Sequence, residues 1–296
     1  VILLDTNQIM ISNLFATKGQ KFDSGLLTLN DIRHAVLKGI LYYEGRFKNR
    51  FGDIVLCYDS GNYWRTKQFP HYKANRKKKQ KSDCIDWHKI YDLFSTVREE
   101  IKDSFPYVTM HVETVEADDI ISVLVEEYNN KSFVVRQDET LIVSADKDFQ
   151  QLQRYEGVFQ YSPNAKDFIK CDDPVGFLIE HIIRGDSSDG IPNVLSDDDA
   201  LINSDKKQTI MSAKRFNAVM EEVKTRKIVS SDSKFRRNWF RNKNLIDLGC
   251  IPKDSKKMIT KEYYKEISSR HMKKTNPTSM EYLISNRLGN LTEFLN

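Results

Sequence analysis

The sequence predicts an α/β fold, a mostly parallel central sheet with helices on both faces, joined to a helical and basic C-terminal part. Three observations carry this. Short apolar runs recur at Val1–Leu4, Ile54–Tyr58 and Leu141–Ala145 and read as strands buried on both faces. Stretches with apolar residues at helical spacing alternate with them. Each of the three runs is closed by an aspartate: Asp5, Asp59 and Asp146. In open α/β sheets the chemistry sits beyond the carboxyl ends of the strands. Three carboxylates from distant parts of the chain are therefore expected at one sheet edge.

The elements follow in order. Residues 31–48 carry apolar positions at helical spacing, with Asn30 or Asp31 as the cap. After the strand at 54–58, residues 60–82 lack periodicity, hold Gly61, Pro70 and a basic run, and read as a long loop or a mobile arch. Trp87, Ile90, Phe94, Val97 and Ile101 define an amphipathic helix over 86–104, and Tyr107–Val112 the next strand. Ile120, Ile121, Leu124 and Val125 mark a helix that begins near Glu116–Asp119. A strand at 141–145, a short helix at 147–153 and a strand at Gly157–Tyr161 complete the alternation. Residues 174–184 are helical, with Pro174 at an early position. Gly185–Pro192 break that helix, and a second helix is expected from Ser196, because Asp197, Asp198 and Asp199 suit a helix N-terminus. Further helices are expected over 208–224, 262–272 and 278–288. The implied organisation is an α/β core over 1–173, with a basic arch at about 60–82, and a helical part over 174–296.

Hydrophobic residues make up 40% of the chain and aromatics 11%, enough for a substantial core. No stretch approaches the roughly 18 apolar residues of a membrane span, and no signal peptide is visible. Cys57, Cys84, Cys171 and Cys250 are scattered without a CxxC pair. That is neither a zinc pattern nor a disulfide framework, and it suits a reducing cytosol. The chain opens on strand-like Val1 rather than Met, so residues are expected to precede it. The net charge of +4 is unevenly spread: six of the nine residues 73–81 are Lys or Arg, and residues 206–243 hold twelve Lys or Arg against three acids. The strand-end aspartates and the acidic clusters near them fall within the first 190 residues. An acidic centre with basic flanks suits a polyanion that must reach bound cations.

A lone aspartate after a strand is better explained as a turn former or a helix cap. Here three such residues are joined by Glu116, Asp118, Asp119, Asp148, Asp186 and Asp189. Carboxylates so concentrated repel one another and push their pKa values up unless a cation sits among them. Oxygen ligands without Cys or His favour a hard ion, Mg²⁺ or Mn²⁺. No Ser-His or Cys-His nucleophile pair is evident, and the six histidines are scattered.

The ordered set VILLD (to Asp5), YD (to Asp59) with YWR (to Arg65), HYKANR (to Arg76), VEADD (to Asp119), SADKD (to Asp148) and RGDSSDGIPN (to Asn193) resembles the flap endonuclease or 5′→3′ exonuclease family. The likeness spans about residues 1–195. It implies a PIN-like nuclease core in which Asp5, Asp59, Glu116, Asp118, Asp119 and Asp146 surround one divalent ion. Asp148, Asp186 and Asp189 would serve a second, partly through water. Two such ions, about 3.5–4 Å apart, activate a water and stabilise the leaving oxygen of a phosphodiester. Arg65, Tyr72, Lys73 and Arg76 match the family's arch region. Arg65 and Lys73 are expected to offset charge on the scissile phosphate, and Tyr72 to stack on an unpaired base. Trp64 serves equally well as a packing aromatic. Arg76, Lys77, Lys78, Lys79 and Lys81 are expected to neutralise phosphates. Ser187, Ser188 and Gly190, with Lys206 and Lys207 beyond, fall in what resembles the family's helix–three-turn–helix at about 174–205, which grips the duplex backbone. There the chain departs from the family's GDxSDNIPG, with Gly190 for Asn and Asn193 for Gly, and Leu195–Asp199 replace the glycine-rich turn in which some members hold a monovalent ion.

The resemblance implies a 5′ nuclease of phage replication, with Mg²⁺ as cofactor and Mn²⁺ as substitute, acting on DNA with 5′ flaps or forks and on RNA–DNA hybrid. It would be a monomer in the cytoplasm of the infected bacterial host. The C-terminal third is the place to look for docking on a single-stranded DNA-binding protein or a sliding clamp. Two rival readings are a PIN-type ribonuclease, usually much shorter and without the arch run, and a non-catalytic DNA-structure binder, expected to lack some of the acids.

Overall fold

Five strands form where the sequence is short and apolar: β1 (Ile2–Asp5), β2 (Ile54–Tyr58), β3 (Val108–His111), β4 (Thr140–Val143) and β5 (Val158–Ser162). They pair in parallel, and β6 (Asp167–Ile169) adds an antiparallel edge, giving the order β3-β2-β1-β4-β5-β6. The computed structural model describes residues 1–23, 27–76, 85–131, 139–226, 233–273 and 278–294. Its helices are α1 (Thr6–Asp23), α2 (Leu29–Phe51), α3 (Trp64–Gln68), α4 (Trp87–Ser104), α5 (Ala117–Lys131), α6 (Pro174–Arg184), α7 (Ala213–Arg226), α8 (Ser233–Ile246), α9 (Lys253–Lys273) and α10 (Thr278–Ser285). None of the described helices is long and apolar enough to cross a membrane.

Alternation along the strands divides the core between two faces. Ile2, Leu4, Ile54, Leu56, Tyr58, Leu141 and Val143 point to one side and pack with residues of α1, α2, α4 and the C-terminal Leu283, Leu288 and Leu291. Leu3, Val55, Cys57, Val108, Met110 and Ile142 point to the other and pack with α5 and α9. Helices thus cover both faces of a mostly parallel sheet, as expected. A third cluster joins Phe69 and Tyr72 to Leu178, Ile182, Ile191, Phe235 and Trp239, tying the foot of the basic segment to α6 and α8.

Several expectations need correction. The cap of α2 is Thr28, and Asp31 closes a capping box from N3. Helix α1 has no counterpart in the sequence reading, because its buried stripe of Ile9, Met10 and Leu14 is interleaved with Asn7, Gln8 and Asn13. Helix α8 escapes for a related reason. Two residues of its buried face are Asn238 and Asn242, both fully buried. Asn238 Nδ2 donates to the carbonyls of Val194 and Ser196, and Asn242 Nδ2 to those of Ile182 and Pro192. They clamp the segment after α6, and an apolar period cannot register them.

No helix starts at Ser196; residues 197–205 run as turns. The three aspartates there pair with cations instead of capping a helix: Asp197 with Lys234, Asp198 with Arg237 and Arg241, Asp199 with Lys206. The second helix expected within about 174–205 is therefore missing, and the next described helix is α7. The start of the expected arch is folded: α3 forms, and Phe69 and Tyr72 are buried. Lys77, Lys78, Lys79, Lys81 and Cys84 lie outside the described residues. The boundary at 173 and 174 is not a packing boundary, because α9 and the C-terminal segment seal opposite faces of the sheet. The C-terminal segment is also pinned by hydrogen bonds: Tyr282 Oη donates to Glu100 Oε2 (2.6 Å) and Ser279 Oγ to the Ser104 carbonyl (2.9 Å).

Candidate metal centre

Because β2, β1 and β4 are adjacent and parallel, their carboxyl ends open on one edge. Asp5 ends β1, Asp59 follows β2, and Asp146 stands just after β4. The first turn of α5 adds Asp118 and Asp119, with Glu116 just before it. Asp5 accepts from Ser144 Oγ (2.9 Å) and the Gln8 amide (3.3 Å). Asp59 accepts from the Ala117 amide (2.8 Å) at the start of α5 and from Asn7 Nδ2 (3.2 Å). The Asp146 carboxylate accepts from the Asp148 amide (2.9 Å), which folds the chain into the 3-10 turn Lys147–Arg154.

Burial and mutual repulsion raise four carboxyls here, Asp5, Asp59, Asp118 and Asp148. The Asp5 carboxyl is pushed up to about 7 by burial and by Asp59. Asp118 is pushed well up by burial and Asp146. Asp59 is raised by burial, against the pull of Lys73. Asp148 is pushed up to about 7 by burial and Asp146, with His181 opposing. The Asp148 Oδ1 atom is enclosed and has no hydrogen-bond partner among the described residues. Carboxylates held in this condition fit divalent cations.

Glu116 and Asp119 differ from the rest in being neutralised by the protein itself. Arg65, with its side chain 3% exposed, donates to Glu116 Oε2 (2.7 Å) and to Asp119 Oδ2 (3.0 Å), and its Nε donates to the Leu245 carbonyl (2.9 Å). Trp64 Nε1 donates to Asp119 Oδ2 (2.9 Å). Tyr72 Oη donates to Glu116, and Lys73 Nζ pairs with Glu116. Burial alone would raise Glu116, but Lys73 and Arg65 hold it below its ordinary range. Burial alone would lower Lys73, but Glu116, Asp189 and Asp118 hold it above the usual lysine range.

These placements revise the expectations for the arch foot. Arg65 faces Glu116 and Asp119, not solvent, so the expected phosphate role does not fit its burial. Tyr72 is 5% exposed and packs in the third core cluster, so it presents no face to an unpaired base here. Lys73 is the nearest of the three to solvent, with its side chain 14% exposed, and its backbone takes the left-handed conformation at φ 54°. Its amide donates to the Asp189 carbonyl (2.8 Å). Arg76 pairs with Asp189 and is half exposed.

The turn after α6 builds a second acidic locus. Gly185 (φ +70°) reverses the chain, and a Cβ there would lie 2.4 Å from the Ile191 carbonyl oxygen. The reversal brings Asp186 back to α6. Asp186 Oδ1 accepts from the Ser188 amide (2.8 Å) and from Ser188 Oγ, and Oδ2 stands 3.0 Å from both His181 Nε2 and Lys147 Nζ. Burial opposes ionisation of Asp186, but the His181, Ser188 and Lys147 contacts hold it well below the carboxylate range. Asp189 turns away to Arg76 and Tyr72. Among the described residues the ligand atoms of Asp148, His181 and Asp186 lie within 4.8 Å of one another. This group takes in His181, which was not expected, and leaves out Asp189. Sequence reading missed it because a single helical His carries no spacing signal. Ser187 and Ser188 are exposed. Gly190 (φ +73°) is buried, and its Cβ position is 2.7 Å from the His71 carbonyl oxygen, so it packs on the arch foot instead of facing a ligand. Lys206 is exposed and paired with Asp199, and Lys207 is exposed.

Comparison with known proteins gives a consistent picture. Residues 1–175 match the family model described as 5′-3′ exonuclease, N-terminal resolvase-like domain. The Ribonuclease H of Enterobacteria phage T4 is 29% identical over 270 residues, covering 89% of this chain and 86% of that protein. Among solved structures, the T5 D15 protein co-crystallised with metal ions superposes with a TM-score of 0.59 at 18% identity, over 90% of this chain and 98% of that one. The T5 5′-exonuclease with bound zinc gives a TM-score of 0.60 at 17% identity, over 90% and 99% of the two chains.

Proposed function

Because the chain belongs to the 5′-3′ exonuclease family through its N-terminal resolvase-like domain, we propose that it is a Mg²⁺-dependent 5′ nuclease that cuts 5′ flaps and forked DNA and removes RNA primers from hybrid duplex during phage replication. The observation that carries this reading is the convergence of Asp5, Asp59, Asp118 and Asp146 at one sheet edge, with three of them raised by burial and by one another. Bound divalent ions, Mg²⁺ or Mn²⁺, would supply Lewis acidity and a water acidic enough to attack phosphorus at neutral pH.

The chain's own residues do the rest. Asp5, Asp59, Asp118 and Asp146 would hold the first ion, and Asp148 the second. Arg65 acts through Glu116 and Asp119 as a positioning residue. Lys73 leaves Glu116 to offset charge on the scissile phosphate. Ser187 and Ser188, exposed on the turn after α6, donate to the duplex backbone. Arg76, Lys77, Lys78, Lys79 and Lys81 neutralise phosphates along the strand. The protein would act in the cytoplasm of an infected host, with a single-stranded DNA-binding protein or a sliding clamp as partner.

A 5′-labelled flap duplex incubated with Mg²⁺, with Mn²⁺ and with EDTA tests the reading. Cleavage near the flap junction that requires the metal is expected. Binding without cleavage in Mg²⁺ and in Mn²⁺ identifies a DNA-structure binder instead, and cleavage confined to single-stranded RNA identifies a PIN-type ribonuclease.

A further inference from the structure

We propose that His181 Nδ1 and Asp148 Oδ1 are ligands of one divalent ion, with Asp186 holding the imidazole in the tautomer this requires, and that the nitrogen makes the position prefer a transition metal to Mg²⁺. The inference rests on the nuclease reading for its place in the reaction, but not for its geometry.

His181 is buried on the inner side of α6, its side chain 6% exposed. Each ring nitrogen confronts a carboxylate: Nε2 lies 3.0 Å from Asp186 Oδ2, and Nδ1 lies 3.2 Å from Asp148 Oδ1. A neutral imidazole carries one N–H. With that proton on Nε2 and donated to Asp186, Nδ1 keeps a lone pair 3.2 Å from a carboxylate oxygen, and two acceptors in contact repel. A second ring proton would form no hydrogen bond there, because the Nδ1 contact lacks the geometry for one. Both Nδ1 and Asp148 Oδ1 are enclosed and without a hydrogen-bond partner among the described residues. A cation between them relieves the repulsion. Two ligands at about 2.0–2.1 Å from one ion, at octahedral or tetrahedral angles, stand roughly 2.8–3.4 Å apart, a range that includes the observed separation.

The surroundings agree. A metal-binding histidine commonly donates its other N–H to a carboxylate, which fixes the ring and raises its basicity; Asp186 is in that place. Asp186 is itself braced by the Ser188 amide and hydroxyl. Lys147, about half exposed, reaches Asp186 Oδ2 from solvent and is free to swing out when a cation enters. A mixed nitrogen and oxygen donor set suits Mn²⁺, Co²⁺ or Zn²⁺, whereas Mg²⁺ prefers oxygen alone.

The test is pulsed electron paramagnetic resonance of the full chain loaded with Mn²⁺, without nucleic acid. Coupling to a histidine nitrogen is expected, and it should change on ¹⁵N-histidine labelling. In His181→Gln the coupling should vanish, and calorimetry should show one Mn²⁺ site weakened by about tenfold or more while Mg²⁺ binding at the other site stays within about twofold. Wild-type protein with two Mn²⁺ bound and no nitrogen coupling overturns the proposal, whether or not the variant folds. An unchanged Mn²⁺ titration in folded His181→Gln overturns it too. A chain that shows the coupling but cuts no flap retains this inference and loses the nuclease reading.

Discussion

At the scale of residues, the nine acids fall into two sets with different failure modes. Neither Asp118 nor Asp146 forms an ion pair among the described residues. Asp146→Asn or Asp118→Asn should lower flap cleavage by more than about a thousandfold, roughly 4 kcal/mol of barrier, while leaving the fold intact. Cleavage within about tenfold of wild type would remove that residue from the ligand set. Arg65→Ala should act on the fold instead, by stranding Glu116 and Asp119 in the interior without their partner. A cost of about 3–5 kcal/mol in urea unfolding is expected for breaking a buried pair from one side. A loss below about 1 kcal/mol would show that Lys73, Tyr72 and Trp64 suffice. Proton linkage gives a third expectation. Asp5 and Asp148 titrate at about 7 in the fold against an ordinary 3.8, so the folded state binds protons more tightly. Their contribution to stability is complete below about 3.8 and is lost as pH rises through 7. In EDTA the protein should therefore melt at a lower temperature at pH 8 than at pH 6, and this gap should narrow in Asp5→Asn. His111, which burial lowers, works in the opposite sense in both proteins. An equal gap in the two proteins would remove Asp5 from the account.

At the scale of elements, the foot of the basic segment is a docked structure, not a free loop. Lys73 donates its amide to the Asp189 carbonyl, Arg76 pairs with the Asp189 side chain, and Gly190 lies under His71. The carboxylates meet the basic segment before any nucleic acid does. Gly190→Ala combines a left-handed backbone with a Cβ driven against the His71 carbonyl oxygen, 2.7 Å away. It should cost about 1–3 kcal/mol of stability and increase protease sensitivity near residue 73. Denaturation by urea and limited trypsinolysis measure both, and a variant as stable and as resistant as wild type would mean the foot does not depend on this contact. The apolar strand runs and the amphipathic α4 were legible because burial imposes their periods. Helices α1 and α8 were not, because asparagines occupy inward positions where the tertiary structure gives them carbonyl partners.

At the scale of the whole molecule, chain order and packing order differ. Ile259 and Tyr263 of α9 are buried in the face beside α5, while Leu283, Leu288 and Leu291 close the opposite face beside α2 and α4. The sheet is thus covered from both sides by the last part of the chain. A chain ending at residue 252 exposes both cores, so it should lose cooperative unfolding and aggregate instead of yielding a working 1–173 nuclease core. Circular dichroism melts and size-exclusion chromatography test this; a soluble truncation with a sharp transition would restore an independent α/β unit.

Taken alone, the sequence determined where the carboxylates would meet. A parallel sheet aligns its strand ends, so an aspartate after each apolar run is enough to place Asp5, Asp59 and Asp146 on one edge. It also determined the family, through acidic motifs whose order and spacing are read directly along the chain. Only the tertiary structure decided which acids remain without a cation. That depends on Arg65, Lys73 and Tyr72 reaching Glu116 and Asp119 across more than forty residues of chain. The same holds for His181, which meets Asp148 only because the chain reverses at Gly185 and α6 packs against the 3-10 turn. Pairing of charges is a matter of approach in space, and no period or spacing along the sequence encodes it.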